Sequence, residues 1–172
     1  GSSASRMLKS QKSGIPVCLT VAHLDGLVLA RSGFHHSANY RSAMCFGTAH
    51  IIDDAEEKAE ALKAVVDRFY PGRTDVLREN DPQEAKGTMV IGMRIEDASA
   101  KIRTGGVSDD PADLDARVWA GVIPVETRLG TPEICPKVPE GVTYPEHLAH
   151  FREGRGLDEV LTESQMAYEQ QG

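Results

Sequence analysis

The sequence predicts a mainly β fold with peripheral helices. Three runs in the first half of the chain, residues 17–23, 27–31 and 43–52, have the apolar patterning and flanking turn residues typical of strands. A strong helix pattern follows, and further strands are predicted after it. At 172 residues with 40% hydrophobic content, the chain has the size of one globular domain with a sizeable core.

The strand at residues 43–52 is the most informative part of the chain. Small or apolar side chains occupy most positions of both its faces, which predicts burial on both sides. Gly47 lies in its middle, and glycine inside a strand usually marks a bulge, a bend, or a close approach of a ligand or another backbone. A bend without a ligand and a binding site therefore both remain open at this position.

Turn and cap signals delimit the neighbouring elements. Asp25-Gly26 is the strongest hairpin signal in the chain, so residues 17–23 and 27–31 are predicted to be two strands joined by a tight turn. Asp53-Asp54 precedes Glu56-Glu57 as in a capping box, and Pro71-Gly72 ends the helix that begins there. The apolar stripe of this helix is predicted to pack against the sheet. It consists of Ala55, Ala59, Leu62, Val66 and Phe69.

The second half contains two further predicted strands, at residues 88–95 and 117–125. Between them, Lys101 and Arg103 precede Thr104-Gly105-Gly106, and these cations either reach an anionic ligand or flank an exposed turn. Several prolines then mark an extended segment. They are Pro132, Pro136, Pro139 and Pro145. We therefore predict one domain at residues 1–130, followed by a Pro-rich linker and a weakly helical tail at residues 131–172.

Composition excludes several classes of protein. A formal net charge of -7 argues against nucleic-acid binding, which needs a concentrated basic surface. No apolar stretch approaches the roughly 20 residues that cross a bilayer, and no signal peptide is recognisable. We therefore expect a cytoplasmic protein. The three cysteines form no Cys-x-x-Cys pair, which argues against a disulfide framework or a thiolate zinc site, and we expect Cys18 and Cys45 in the core.

Two groups of residues could carry chemistry. A short helix is predicted at residues 4–12, and its start, with Ser2, Ser3, Ser5 and Arg6, offers hydroxyls, free amides and a guanidinium for a phosphate. The alternative is that the serines only cap the helix or belong to a cloning remnant.

Two adjacent histidines precede the strand at residues 43–52. An unperturbed imidazole titrates near neutral pH, so His35 and His36 are candidates for proton transfer. The alternative is that they lie in a solvated loop without such a role. His147 and His150 are predicted to be a surface pair. No metal site is expected, and the chain lacks the glycine-rich Rossmann and P-loop motifs and the Gly-x-Ser-x-Gly elbow of many hydrolases.

An ordered set of short motifs resembles the pyridoxamine 5'-phosphate oxidase-like split β-barrel flavoproteins, and within them the nitroimidazole-resistance and flavin-nucleotide-binding branch. The set spans about residues 1–128. It comprises Gly-Ser-x-x-Ser-Arg-Met-Leu at the start, Tyr40-Arg41-Ser42, Phe46-Gly47-x-Ala49, the acidic helix, and Val118-Trp119-Ala120-Gly121.

The resemblance implies an FMN-binding split β-barrel that holds FMN at a homodimer interface. It places Ser5 and Arg6, with Ser2 and Ser3, at the FMN phosphate. Arg41 and Ser42 are then expected against the flavin, and Trp119 near it across the dimer interface.

Some residues depart from the family pattern. Met7 replaces a lysine of the phosphate site, and no Arg-x-His signature follows Gly121, so a true pyridoxamine phosphate oxidase is not expected. The first helix and the strands that precede the Gly-Ser motif in the family are missing from this sequence. Either the chain is a fragment that begins mid-barrel, or its barrel is incomplete and has an open edge that would need covering. We expect an FMN-dependent oxidoreductase for a nitroaromatic or quinone-like small molecule. The alternatives are a flavin or haem storage module without turnover and a deazaflavin-dependent reductase.

Overall fold

The structure is a computed structural model that describes residues 14–170 of the chain. Its strands form one sheet in the order β3-β2-β1-β4, which does not close into a barrel within the described residues. The prediction of a mainly β fold with peripheral helices is confirmed, while the helix predicted at residues 4–12 lies outside the described part. The elements are β1 (Ile15–Leu29), β2 (Ser37–Ile51), α1 (Ala55–Phe69), α2 (Pro82–Gly87), β3 (Ile91–Arg103), β4 (Gly121–Pro124) and α3 (Leu157–Glu169).

The chain forms two compact units. Within the described part, the sheet unit consists of residues 14–50 and 93–126, and the helical unit consists of residues 51–92 and 127–170. The sheet unit contains nearly all of the strand residues, and the helical unit contains the three helices. The predicted domain boundary at residue 130 stays a prediction.

A bulge makes β1 continuous where a hairpin was predicted. β1 pairs antiparallel with β2 along almost its whole length, and the register shifts between Leu24 and Gly26. A type I′ hairpin needs positive φ at both central residues, and neither Asp25 nor Gly26 has one. The hairpin prediction is therefore wrong. The Asp-Gly pair instead supplies the extra residue of a bulge.

The bulge also decides which side chains are buried. Before it, odd-numbered residues of β1 share a side of the sheet with odd-numbered residues of β2; after it, even-numbered residues of β1 do. The side that becomes buried is built from short side chains. Its buried members are Gly26, Val28, Asn39, Gly47 and Ala49.

Gly47 is required because another backbone passes close to it. A Cβ atom at this position would lie 2.0 Å from the carbonyl oxygen of Arg94 on β3 and 3.0 Å from its carbonyl carbon. Real Cβ contacts are never this short, so a side chain would have to push the two strands apart. Of the roles open to this glycine, the structure therefore supports close backbone approach.

The opposite side of β2 is open in the single chain. Met44 and Phe46 are 38% and 40% exposed, so the prediction of burial on both faces is wrong for one chain by itself. The predicted placement of two cysteines in the core is also wrong. Cys18 is exposed and Cys45 is half-buried.

Strand β3 is longer than predicted. It extends to Arg103, so this residue and Lys101 belong to the end of a strand, directly before the exposed residues 104–106. At one end Thr48 donates a 3.0 Å hydrogen bond to Glu96, and at the other Arg103 donates a 2.7 Å hydrogen bond to Asn39. These two contacts show that β3 runs antiparallel to β2.

The helical unit is organised by the packing of α1 against α3. Asp54 caps α1, and its carboxylate accepts a 2.9 Å hydrogen bond from the backbone N–H of Glu57, as the capping pattern predicts. The predicted apolar stripe is only partly covered, because Ala55, Ala59 and Phe69 are exposed.

A short helix, α2, was missed in the sequence. Asp81 and Glu84 form a complete capping box at the start of this helix. The two Nη atoms of Arg78 donate hydrogen bonds of 2.6 and 2.9 Å to the Glu84 carboxylate. These hydrogen bonds, first those from Arg78 and then that from the Asp81 backbone, lower the pKa of Glu84 to about 2. A helix of six residues has no apolar periodicity, which explains the omission.

His147 and His150 do not form the predicted surface pair. Both are half-buried, and the His150 ring is hydrogen-bonded to the hydroxyl of the fully buried Ser164 at 2.8 Å. The His150 ring also contacts Phe151, with centroids 4.5 Å apart. Burial lowers the pKa of His150. These histidines therefore belong to the packing of the helical unit.

Replacing Gly47 by alanine is expected to destabilise the sheet unit by about 1–3 kcal/mol, the range for forcing extra atoms into a packed interior. The matched control is Gly33→Ala, because a Cβ at Gly33 would meet nothing within 4 Å. Urea unfolding of the two variants measures the difference. Equal midpoints would contradict the close approach of β3 to β2.

Candidate functional site

The sheet unit contains five of the predicted site residues. Arg41 and Ser42 lie on β2, His35 and His36 lie in the turn before it, and Trp119 lies just before β4. The remaining predicted residues, Ser2, Ser3, Ser5 and Arg6, lie outside the described residues. The roles of all nine stay predictions, and the geometry below concerns the five that are described.

Arg41 is held by a carboxylate at the β1 bulge. Its Nε and Nη2 atoms donate hydrogen bonds of 2.9 and 2.7 Å to the two oxygens of Asp25. The Asp25 carbonyl in turn accepts a 3.0 Å bond from the N–H of Val125, just after β4. Three strands therefore meet at this ion pair, which fixes the direction of the guanidinium while its side chain stays 42% exposed.

The charge of Asp25 is stabilised by its neighbours. The hydrogen bonds from Arg41 are the largest cause that lowers the pKa of the Asp25 carboxyl; the charges of Arg41 and His23 lower it further, against a smaller opposing effect of burial. The pair thus stays ionised well below neutral pH. Ser42, the next residue on β2, is half-buried on the other side of the strand.

A second ion pair fixes the loop that carries the histidines. The backbone N–H and Nη1 of Arg31 donate hydrogen bonds of 2.8 and 2.7 Å to Asp109, whose side chain is only 1% exposed. Burial acts to raise the pKa of Asp109, but the hydrogen bonds and charge of Arg31 outweigh it, so the pKa is lowered. The loop from Arg31 to His36 is therefore attached to the loop that follows β3.

His35 is paired with a second aspartate of that loop. Its Nε2 atom lies 3.3 Å from Oδ2 of Asp110, and its ring packs edge-on against Phe34 with centroids 5.3 Å apart. The Asp110 side chain is 71% exposed, so this contact lies at the surface of the loop. A carboxylate beside an imidazole is an arrangement that can serve proton transfer.

His36 is held through its other ring nitrogen, Nδ1. Its Nδ1 atom lies 2.9 Å from the carbonyl oxygen of Ser32 and must donate to it. The lone pair of the neutral ring is therefore on Nε2, on an exposed side chain. A histidine whose Nδ1–H is held by a backbone carbonyl is oriented to bind a metal through Nε2.

The indole ring of Trp119 lies against Gly121. A Cβ at Gly121 would lie 2.9 Å from the ring, so glycine leaves room for this contact. Trp119 is nevertheless 63% exposed. An exposed indole offers surface for an aromatic ligand.

Sequence reasoning missed the three aspartates that orient these side chains, Asp25, Asp109 and Asp110. Asp25 was assigned to a turn, and the other two were part of an acidic loop without a partner. Their partners are distant in sequence, and no local pattern marks such pairs.

The described residues contain neither a metal-binding cluster nor a membrane-spanning helix. They contain no group of three or more His, Cys, Asp or Glu side chains that could hold a metal ion. No helix in residues 14–170 is long and apolar enough to cross a membrane.

Comparison with known proteins identifies the family. A family profile described as pyridoxamine 5'-phosphate oxidase matches residues 1–102. The chain belongs to this family. Comparison with curated protein sequences gives no match. The family predicted from the short motifs is thus confirmed.

Two solved structures are similar to this chain over nearly its whole length. The flavocytochrome Anf3 from Azotobacter vinelandii is 42% identical with a TM-score of 0.81, over 90% of this chain and 72% of that one. An FAD- and haem-binding protein from Mycobacterium smegmatis is 36% identical with a TM-score of 0.80, over 89% and 75%. The split-barrel fold is confirmed. Matches of this extent necessarily continue past residue 128, so both relatives share part of the C-terminal segment that the motifs left unexplained.

Substituting Asp109 by asparagine is expected to lower stability at neutral pH, because Arg31 loses its charged partner. The folded-state pKa of Asp109 is lowered, so its contribution is present above the unfolded pKa and is lost as pH falls through the folded pKa. Wild type and variant should therefore converge in acid. Urea midpoints at pH 7 and pH 3 measure this, with exposed Asp115→Asn as the control. A gap that stays constant with pH would contradict the assigned ion pair.

Proposed function

We propose that the chain binds a flavin nucleotide and acts as a flavin-dependent oxidoreductase. The observation that carries the proposal is the match to a flavocytochrome and to an FAD- and haem-binding protein over about nine-tenths of the chain. The motifs favour FMN and one relative is named for FAD. Both nucleotides present the same flavin ring, which supplies the electron transfer, while the protein supplies orientation, hydrogen bonds and exclusion of water.

Two described side chains fit a flavin ring and its polar edge. Arg41 offers guanidinium N–H groups whose direction is fixed by Asp25, and such donors can hydrogen-bond the polar edge of a flavin ring. Trp119 offers an exposed aromatic face. His35, oriented by Asp110, is the candidate for proton transfer to a small acceptor, for which we retain a nitroaromatic or quinone-like compound.

A homodimer is part of this proposal. Large apolar side chains of the sheet unit are exposed in the single chain, and contiguous apolar surface on soluble proteins usually marks an interface. Leu19, Val21 and Ile95 are 58%, 51% and 58% exposed. We propose that a second copy covers this surface and completes the flavin site.

Flavin binding can be followed through the single tryptophan of the chain. Titration with FMN or FAD is expected to quench the emission of Trp119 strongly and to give the visible bands of bound oxidised flavin. The Trp119→Phe variant should bind flavin with less than about a tenfold change in affinity, the cost of about 1 kcal/mol for an aromatic contact.

Two outcomes count against these assignments. A colourless protein that binds neither nucleotide would refute flavin binding. Flavin binding without quenching would leave that function intact and remove Trp119 from the site.

We also propose that the chain binds haem, and the hydrogen bond of His36 favours this proposal. An axial haem ligand must present an unprotonated nitrogen, and the Ser32 carbonyl fixes that nitrogen as the exposed Nε2 of His36. His35 has its Nε2 turned to Asp110 instead. Bound haem would supply one-electron chemistry.

Titration with haemin is expected to produce a sharp Soret band in wild type and in His35→Gln, and a strongly weakened one in His36→Gln. Circular dichroism verifies that both variants are folded. If both histidine variants keep the wild-type spectrum, His36 is not the ligand.

A further inference from the structure

Arg103 is an oriented cation that no carboxylate neutralises among the described residues. Its Nη1 atom donates a 2.7 Å hydrogen bond to Oδ1 of Asn39, and the Asn39 side chain belongs to a residue that is only 9% exposed. The partner is a neutral amide that is itself held in the sheet. The guanidinium is therefore fixed in direction, and its full positive charge remains.

Arg128 and Arg152 also donate to neutral groups, in their case backbone carbonyls. Four other arginines form ion pairs with carboxylates at 2.6 to 2.7 Å, which compensate their charge. They are Arg31, Arg41, Arg78 and Arg155. Arg103 is half-buried like the first two of these, yet it has only the amide. A partly buried cation without a counter-ion costs free energy of folding, and a bound anion would offset that cost.

Lys101 is the second cation at the same strand end. Its ammonium lies 5.8 Å from the ring centroid of Tyr40, the residue that follows Asn39 on β2. A cation–π contact also holds a charge without neutralising it. Both cations of β3 are thus positioned by uncharged neighbours, and the pair carries two positive charges in a chain whose formal net charge is -7.

The loop after β3 leaves this pair accessible. The Arg103 guanidinium lies against Gly105, where a Cβ would be 3.7 Å from its central carbon, and a Cβ at Gly106 would meet nothing within 4 Å. Thr104, Gly105 and Gly106 are all exposed. Arg103 is half-buried, and the N–H groups of its guanidinium that do not bond Asn39 suit the oxygens of a phosphate.

We propose that Arg103 and Lys101 form a subsite for a phosphate group. The phosphate belongs either to the flavin nucleotide, in which case the subsite rests on the proposed function, or to a second, phosphorylated small molecule.

The experiment compares FMN with riboflavin, which has the same ring and ribityl chain but no phosphate. Dissociation constants are measured by isothermal titration calorimetry for wild type, Arg103→Gln and Lys101→Gln. The control is Arg78→Gln, which removes an exposed arginine from the helical unit. If the flavin carries the phosphate, Arg103→Gln should weaken FMN binding about ten- to a hundredfold and leave riboflavin unchanged. Lys101→Gln should act in the same direction and covers the case of an unstable Arg103 variant.

A second titration uses inorganic pyrophosphate as the ligand. If FMN affinity is unchanged in the variants, flavin-loaded wild type should bind pyrophosphate and Arg103→Gln should not, which assigns the phosphate to a second molecule. Should wild type bind no flavin, the proposed function fails and the pyrophosphate titration still decides the subsite. Absence of both effects, or equal losses for FMN and riboflavin, overturns the proposal.

Discussion

The bulge at Asp25 is the constraint on which the sheet unit depends. One extra residue in β1 changes which of its side chains share the inner side with β2, and so places Gly26 and Val28 there. The same residue extends its carboxylate to Arg41 and its carbonyl to Val125. Register and the orientation of a site residue therefore have one local cause. The approach of β3 is a separate constraint, because Gly47 pairs with Val17 in the part of β1 before the bulge.

The polar groups of the sheet unit fall into two kinds, and the difference matters for function. Arg31 and Arg41 are bound to carboxylates, which fixes structure and compensates charge. His36 and Arg103 are bound instead to a backbone carbonyl and a neutral amide. Neutral partners orient a side chain while leaving its lone pair or its charge available. Side chains of the second kind keep more capacity to bind a ligand. His36 lies just before β2, and Arg103 ends β3.

Patterns local in sequence predicted local structure well. The cap at Asp54 and the strand around Gly47 were found because capping and alternation are short-range effects. The Asp25-Gly26 signal was misread because bulges and tight turns favour the same dipeptide, and only pairing with β2 and β4 decides between them. The partners of Arg31 and His35 come from a loop remote in sequence, where no short-range rule applies. Motif order identified the family because it samples several distant segments at once.

The two adjacent imidazoles are held by different partners. His36 is oriented within its own turn by Ser32, so the hydrogen bond of its Nδ1 atom does not depend on the rest of the fold. His35 lies beside Asp110, and the loop that carries Asp110 is attached through the nearly buried Asp109 to Arg31. Loss of the Arg31 contact would release the partner of His35 while leaving His36 oriented. The ion pair at Arg31 thus supports the contact of His35 without bearing on the hydrogen bond of His36, although the two residues are neighbours in the chain.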